Sequence, residues 1–272
     1  MTCRDVARWC AVVLIAGIGC AQAQSQQDVN VQPAVELQHT LAPSGKLRVG
    51  VYLGGPSSAV RDAKTGELTG VAHDLGRELA RRLGMPFEPV IYRRSAEVID
   101  ALKRGEIDVA FATFTAARAQ EIDFSPPYLQ IEMGFLVPAD SPVQTPADLD
   151  RPGMRVAALG GGTSDITLSR ELKNAAVVRA QGIDGGLDLL RGGGADAFGA
   201  QKTILFEMSK QLAGSRVLDG RFGVERHAIC IPKGRDAGKD FIQAFALEAR
   251  SSGLVNALVQ KAGLRGTLEY KD

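Results

Sequence analysis

Residues 108–118, Asp-Val-Ala-Phe-Ala-Thr-Phe-Thr-Ala-Ala-Arg, change character half-way along. Asp108 to Phe114 is short, mostly apolar and carries two aromatics, which reads as a buried strand. Thr115 is then a credible helix N-cap, because its hydroxyl can accept from a free backbone N–H in the next turn. Arg118 falls in that first turn, at the mouth of the strand. A cation there is locally unfavourable by roughly 0.3–1 kcal/mol. Its fork of donors, added to the free N–H groups of a helix start, suits a carboxylate. A solvated arginine or a surface ion pair is the bland alternative.

Working outward, the pattern repeats on both sides. Leu47 to Leu53 makes a strand that Gly54-Gly55-Pro56-Ser57-Ser58 breaks. A helix over 71–83 follows, with Val71, Leu75, Leu79 and Leu83 on one face and Gly84 at its end. His73 in its first turn reads as a surface residue. Phe87 to Tyr92 is the next strand and Ala96 to Lys103 the next helix. Strands alternating with helices across short glycine-marked turns indicate βαβ units on a parallel sheet. Ligands of such sheets sit beyond the carboxyl ends of the strands. That places Tyr52, the 54–58 loop, Thr113 and Arg118 around one cleft.

After the stiff run Ile122-Asp123-Phe124-Ser125-Pro126-Pro127-Tyr128 and a strand from Met133 to Pro138, a second α/β series begins. Its strands are Met154 to Leu159, Val177 to Ala180, Ala195 to Ala200 and Glu225 to Ile231. Helices are expected near 163, 184–191, 202–212, 236–251 and 254–262. If the last two pack back on the first series, the chain crosses between two lobes twice. The division is then 46–128 with 230–272 as lobe 1, 133–224 as lobe 2, and hinges near 128–133 and 224–229. A cleft between such lobes is the natural site.

Gly160-Gly161-Gly162-Thr163-Ser164-Asp165 follows a strand and opens a helix. The glycines permit positive φ and close approach of a ligand. It lacks the Gly-Lys-Ser/Thr ending of a phosphate loop and the spacing of a dinucleotide fingerprint. A carboxylate or other small anion at Gly162 and Thr163 is the functional reading, and a mere strand-to-helix turn is the alternative.

Bulk properties narrow the function. The 272 residues carry 32 Lys+Arg against 31 Asp+Glu, with no basic stripe, which argues against a nucleic-acid partner. Three scattered histidines and no Cys-x-x-Cys pair argue against a structural zinc site, and no cofactor or metal is expected. Arg4 and Arg8, the apolar run Ala11 to Ile18 and Ala21-Gln22-Ala23 form a secretory signal peptide over 1–23. That run is far short of the ~20 residues that span a bilayer. Cleavage removes Arg4, Arg8 and Asp5, which brings the charge to zero, and leaves Cys230 as the one thiol, a buried core residue between Ile229 and Ile231. Lipidation at Cys20 is the alternative, with Gly17 where a large aliphatic residue usually stands. Residues 24–45 read as a flexible leader. A periplasmic protein follows.

Together these motifs resemble the bacterial solute-binding proteins of family 3, the amino-acid-binding receptors of ABC importers. The likeness runs from about Lys46 to about Gly263. It rests on Leu-Arg-Val-Gly-Val (47–51), Thr-Gly-Glu-Leu-Thr-Gly (65–70), Asp74-Leu75, Ala101 to Asp108, Thr113 to Arg118, Ile122 to Tyr128, Gly162-Thr163, Ala195-Asp196-Ala197 and Ile231-Pro232-Lys233-Gly234. The resemblance implies an α/β, two-lobed Venus-flytrap of the type II periplasmic binding kind, each lobe a mostly parallel sheet with flanking helices. It implies a monomer that hands a small carboxylate to a membrane permease. Arg118 then pairs with the ligand carboxylate, Thr113 bonds the ligand from the first lobe and Thr163 from the second.

Three positions depart from the family. Gln201 stands where an acid usually pairs with the ligand's ammonium, Ser95 falls near the usual stacking aromatic, and Tyr52 takes a position that is often acidic. An ammonium buried without its carboxylate is worse off by roughly 3–5 kcal/mol. The expectation is therefore an acid whose amine is absent or masked. The alternative is an ordinary amino acid whose ammonium finds Asp62 or Asp165. Two other functions remain open: a periplasmic protein feeding a separate sensor, and a cyclohexadienyl dehydratase-like enzyme. The latter needs a general acid at position 201, which Gln201 cannot supply, so a non-enzyme is expected.

Overall fold

A computed structural model of the protein describes residues 34–53, 55–268 and 270. The chain opens with a helix at residues 34–41 (α1) and continues through β1 (Leu47–Tyr52), the hairpin β2 (Val60–Arg61) and β3 (Leu68–Thr69), and α2 (Val71–Leu83). Next come β4 (Phe87–Tyr92), α3 (Ser95–Lys103), β5 (Val109–Thr113), α4 (Ala116–Ala119), β6 (Ile122–Phe124) and β7 (Leu129–Val137). A 3-10 turn (Pro146–Leu149) leads to β8 (Arg155–Leu159), α5 (Thr163–Glu171), β9 (Ala176–Ala180), α6 (Gly182–Arg191) and β10 (Ala197–Gln201). Last are α7 (Lys202–Gln211), β11 (Arg216–Val217), β12 (Gly223–Pro232), α8 (Asp236–Ser251), α9 (Leu254–Lys261) and β13 (Thr267–Leu268). No helix among the described residues is long and apolar enough to cross a membrane.

The main sheet runs β4-β1-β5-β12-β7-β10-β8-β9. At one end β4, β1 and β5 are parallel, and at the other β10, β8 and β9 are parallel. Parallel strands covered on both faces must be apolar along their length, as Val109 to Ala112 and Val156 to Ala158 are. Between the two parallel sets lie β12 and β7, antiparallel to each other and to their neighbours. The first core gathers Val49, Leu75, Leu79 and Phe111 with Ile242 and Phe245 of α8, so the C-terminal helices do return to the first half. The second gathers Leu136, Leu187, Phe198 and Leu205.

The two segments read from sequence as connections are strand. Residues 129–133 and 223–227 pair from Leu129↔His227 to Met133↔Gly223. Backbone groups at a crossing between two cores need partners, and pairing the two crossings with each other supplies them. A third strand joins them: β13 pairs with β7 (Thr267↔Ile131), and Glu132 N donates to Gly266 O at 2.8 Å. Gly266 has φ +80°, and a Cβ there would run into Cβ of Lys202. Beside it the Arg265 guanidinium lies 3.7 Å over the Phe206 ring of α7.

Each half carries the same device at the start of its sheet. Asp108 accepts from Arg48 N (3.1 Å), Nε (2.9 Å) and Nη2 (2.8 Å), while its own N–H donates to Arg48 O. Asp196 accepts from Arg155 N (2.8 Å), Nε (3.3 Å) and Nη2 (2.9 Å), and its N–H donates to Arg155 O. Burial separates them, since the Asp108 side chain is 0% exposed and that of Asp196 31%.

Two expectations need correction. The supposed leader is ordered in its later part: Leu41 is fully buried, Leu37 packs on the same core, and Gln38 Nε2 donates 2.8 Å to Leu83 O. That bond satisfies a carbonyl at the open end of α2. The signal peptide and residues 24–33 lie outside the described residues. His73 is not on the surface. It is 6% exposed, edge-on to Phe87 with centroids 5.2 Å apart, and its Nδ1 is 2.9 Å from Asp74 Oδ1. The cause is that α2 is covered on a second side, where α9 reaches it through Lys261 Nζ to Asp74 Oδ2 at 2.7 Å.

Candidate functional site

The end of β5 positions the first group of side chains. Thr115 is extended (φ −139°, ψ 150°) and its hydroxyl accepts from Arg118 N at 3.2 Å. The cap starts α4, a single turn that carries Arg118 within reach of the strand end. There Nη1 donates to Thr113 O at 2.9 Å. Among the described residues no carboxylate pairs with this guanidinium. Phe114 stays exposed, edge-on to Phe124 at 5.3 Å.

Strand β12 supplies the second group. Its register sets His227 opposite Thr113, and alternation along the strand puts Glu225 on the same face as His227. Thr113 Oγ1 donates to Glu225 Oε2 at 2.9 Å. Gln201, the last residue of β10, donates Nε2 to the same oxygen at 2.5 Å, and its Oε1 accepts from Thr203 Oγ1 at 3.3 Å. His227 Nε2 lies 3.4 Å from both Glu225 Oε2 and Gln201 Nε2. Glu225 is 4% exposed. Burial pushes its carboxyl up, but His227, Thr113 and Gln201 outweigh burial and hold it below the ordinary carboxylate value. Tyr52 belongs to the same neighbourhood: burial first, then the Glu225 charge, pushes its phenol up to about 12, against the pull of Ser57 and Arg118.

Across the cleft stands the start of α5. Of the three glycines before it only Gly161 takes a positive φ, 74°. Gly162 is the N-cap residue, and a Cβ there would meet Leu159 O at 3.1 Å. A cleft of about 220 Å³ is lined by Thr113 and Thr115 from one half, Glu225 from β12, and Thr163, Thr167 and Arg170 from α5. Hydroxyls from both halves, Glu225 and the apolar Phe114, Met133 and Phe222 thus face one small space, while Arg118, Tyr52, Gln201 and Gly162 are not among its lining residues.

Several expected residues lie elsewhere. Ser95 is exposed at the start of α3, and no bond among the described residues ties it to the cleft. Asp62 is exposed and holds its own turn, accepting from Lys64 N (2.8 Å) and Thr65 N (2.7 Å). Asp165 is already engaged: it accepts from Gly161 N, Arg179 Nε and Ser169 Oγ at 2.9, 2.9 and 3.1 Å. Burial pushes its carboxyl up, yet these donors hold it below the ordinary value. Neither aspartate is available as a second acid. Sequence reasoning missed Glu225 and His227. The visible signal was three ionisable residues in a row, Glu225, Arg226 and His227, near the start of an otherwise apolar strand. Cys230 is fully buried, with Sγ 3.3 Å from Ala110 O, and burial pushes its thiol up to about 12. No group of His, Cys, Asp or Glu among the described residues could hold a metal ion.

Comparison with known proteins gives this geometry a context. The sequence pattern of the bacterial extracellular solute-binding proteins, family 3, matches residues 47–264. The ABC transporter glutamine-binding protein GlnH of Bacillus subtilis (strain 168) is 24% identical over 255 residues, 92% of this chain and 92% of its own. Among solved structures, a mutant of ArgBP from T. maritima is 27% identical with a TM-score of 0.71, covering 85% of this chain and 99% of that one. The ancestral amino acid-binding protein AncCDT-1, a precursor of cyclohexadienyl dehydratase, is 26% identical with a TM-score of 0.71, over 83% of this chain and 98% of its own. The protein has the two-lobed Venus-flytrap fold of type II periplasmic binding proteins. With the pattern spanning most of its length, the chain belongs to the bacterial extracellular solute-binding proteins, family 3.

Proposed function

We propose that this protein is an exported, monomeric receptor that captures a small amino-acid-like carboxylate between its lobes and delivers it to the permease of an ABC importer. The observation that carries the reading is Arg118. Its backbone is capped by Thr115, one arm of its guanidinium is fixed by Thr113 O, and no carboxylate among the described residues neutralises it. A guanidinium so held offers its remaining donors to a planar carboxylate. Thr113 and Thr163 reach the ligand from the two lobes, 46–128 with 230–272 and 133–224, which close about hinges near 128–133 and 224–229. Closure removes water from the ion pair and strengthens it. The names of the glutamine- and amino-acid-binding relatives support an amino-acid-like ligand. A binding role is also favoured over an enzymatic one by the neutral amide of Gln201, which has no proton to exchange at neutral pH.

The test is calorimetry of the purified protein against the standard amino acids, repeated with Arg118→Ala. Removing one partner of a desolvated charge pair costs about 2–5 kcal/mol. The variant should therefore bind at least about 30-fold more weakly. Undiminished affinity in Arg118→Ala overturns the assignment.

A further inference from the structure

Glu225 poses a problem that the fold alone leaves open. Glu225 is 4% exposed; burial pushes its carboxyl up and His227, by hydrogen bond and by charge, does most to hold it below the ordinary value, yet no permanently charged side chain is among its partners. Thr113, Gln201 and His227 all converge on Oε2. Among the described residues no Lys or Arg pairs with it. An isolated buried charge costs several kcal/mol unless a counter-charge reaches it. Groups left in that condition inside a cleft are where function concentrates.

The geometry relates this buried anion to Arg118, a guanidinium with no carboxylate partner among the described residues. Thr113 touches both: its carbonyl oxygen accepts from Arg118 Nη1 at 2.9 Å and its hydroxyl donates to Glu225 Oε2 at 2.9 Å. One residue therefore separates a guanidinium from a carboxylate, on elements β5, α4 and β12 that stay bonded together. The complementary small molecule carries a carboxylate and an ammonium on neighbouring atoms. Gln201 is not a neutral substitute facing that ammonium, because its amide is committed to orienting Glu225.

We propose that Glu225 takes the ligand's α-ammonium, so that Thr113, Arg118 and Glu225 capture the zwitterionic head group on the first lobe and its hinge strand before the second lobe engages through Thr163. This rests on the function proposed above and replaces the expectation of an amine-free acid that Gln201 suggested. Recognition of the amine moves from the closing lobe to the hinge. His227 and Tyr52 are the other ionisable groups facing Glu225, and they tune its field without neutralising the ligand.

The experiment uses Glu225→Gln, which keeps the shape, removes the charge and leaves one acceptor oxygen for Thr113 or Gln201. Calorimetry is run with each standard amino acid and with its α-hydroxy analogue, in which a hydroxyl replaces the amine. The wild-type protein should prefer the amino acid by about 100-fold or more. In Glu225→Gln that preference should fall to within a few-fold, chiefly by weaker amino-acid binding. Gln201→Glu combined with Glu225→Gln should restore part of it. Melting without ligand is read beside this: a carboxyl held below its ordinary value contributes stability at pH 7, so Glu225→Gln should melt lower. The distinction from a merely structural role lies in the amino-over-hydroxy preference, which a structural carboxylate would not move. Amino-acid affinity within threefold of wild type in Glu225→Gln, or equal binding of hydroxy analogues by wild type, overturns the proposal. If wild type binds neither series, the amino-acid reading itself fails. If Arg118→Ala weakens both series but Glu225→Gln weakens neither, only the role of Glu225 fails.

Discussion

Replacing Asp108 and Asp196 singly by alanine puts one local interaction in two surroundings. Both carboxylates accept an arginine's backbone N–H, Nε and Nη2, and both return a backbone bond to that arginine. Asp108 is fully buried beside Arg48, 22% exposed, and Arg235, 17% exposed, whose Nη1 lies 3.4 Å away. Its loss strands two guanidinium groups that are mostly out of water. Breaking a buried pair in this way costs about 3–5 kcal/mol. Asp196 is 31% exposed and Arg155 42%, so water replaces much of what the carboxylate gave. There the ion pair is worth about 0.2–1 kcal/mol, and the orphaned Arg155 N–H adds about 1 kcal/mol. The expected difference between the variants is thus about 2–3 kcal/mol, a shift of roughly 1–2 M in urea midpoint. Urea titration followed by far-ultraviolet circular dichroism measures it. Equal losses for the two variants would refute the claim that burial, rather than the bonding pattern, sets the value of this device.

Two further outcomes follow from named groups. Glu78 is held at about 2 by Arg81 and then Arg82, below its ordinary 4.5. The folded chain therefore binds fewer protons there between those values, and the contribution is complete above about pH 4.5 and lost as pH falls to about 2. Arg81 is 70% exposed, so the effect is about 1 kcal/mol or less. Glu78→Gln should be less stable than wild type at pH 7 and equal to it near pH 2, and a pH-independent difference would count against the pair. In protein lacking residues 1–23, Cys230 should resist a thiol reagent at pH 8 until urea unfolds the chain. Rapid labelling of the native protein would show that the strand opens.

Much of the architecture is local in origin and was readable for that reason. Short apolar runs bounded by glycines form strands β1, β4, β5, β8 and β9, and the fourfold spacing of Val71, Leu75, Leu79 and Leu83 forms α2. Thr113, Thr115 and Arg118 meet through bonds spanning no more than five residues. Glu225 and Thr113 are 112 residues apart, and they touch only because β12 pairs with β5 in one particular register. No periodicity within either strand contains that register. His73 illustrates the same limit on a helix: its burial comes from Phe87 and α9, elements that helix phase alone cannot supply. In α1 the signal was present, since Leu37 and Leu41 are four apart, but two leucines among polar residues carry too little pattern to outweigh a polar composition.

The short strand β13 has a practical consequence. It is bonded to β7, while Arg265 just before it rests on Phe206 of α7. Residues 265–267 therefore touch both elements. If the lobes close about 128–133 and 224–229 as proposed, a dye carried by Thr267→Cys in protein lacking residues 1–23 should report the closure as a change in light emission, and the buried Cys230 would not compete for the label. Position 267 is thus a natural place for an optical sensor of the proposed ligand.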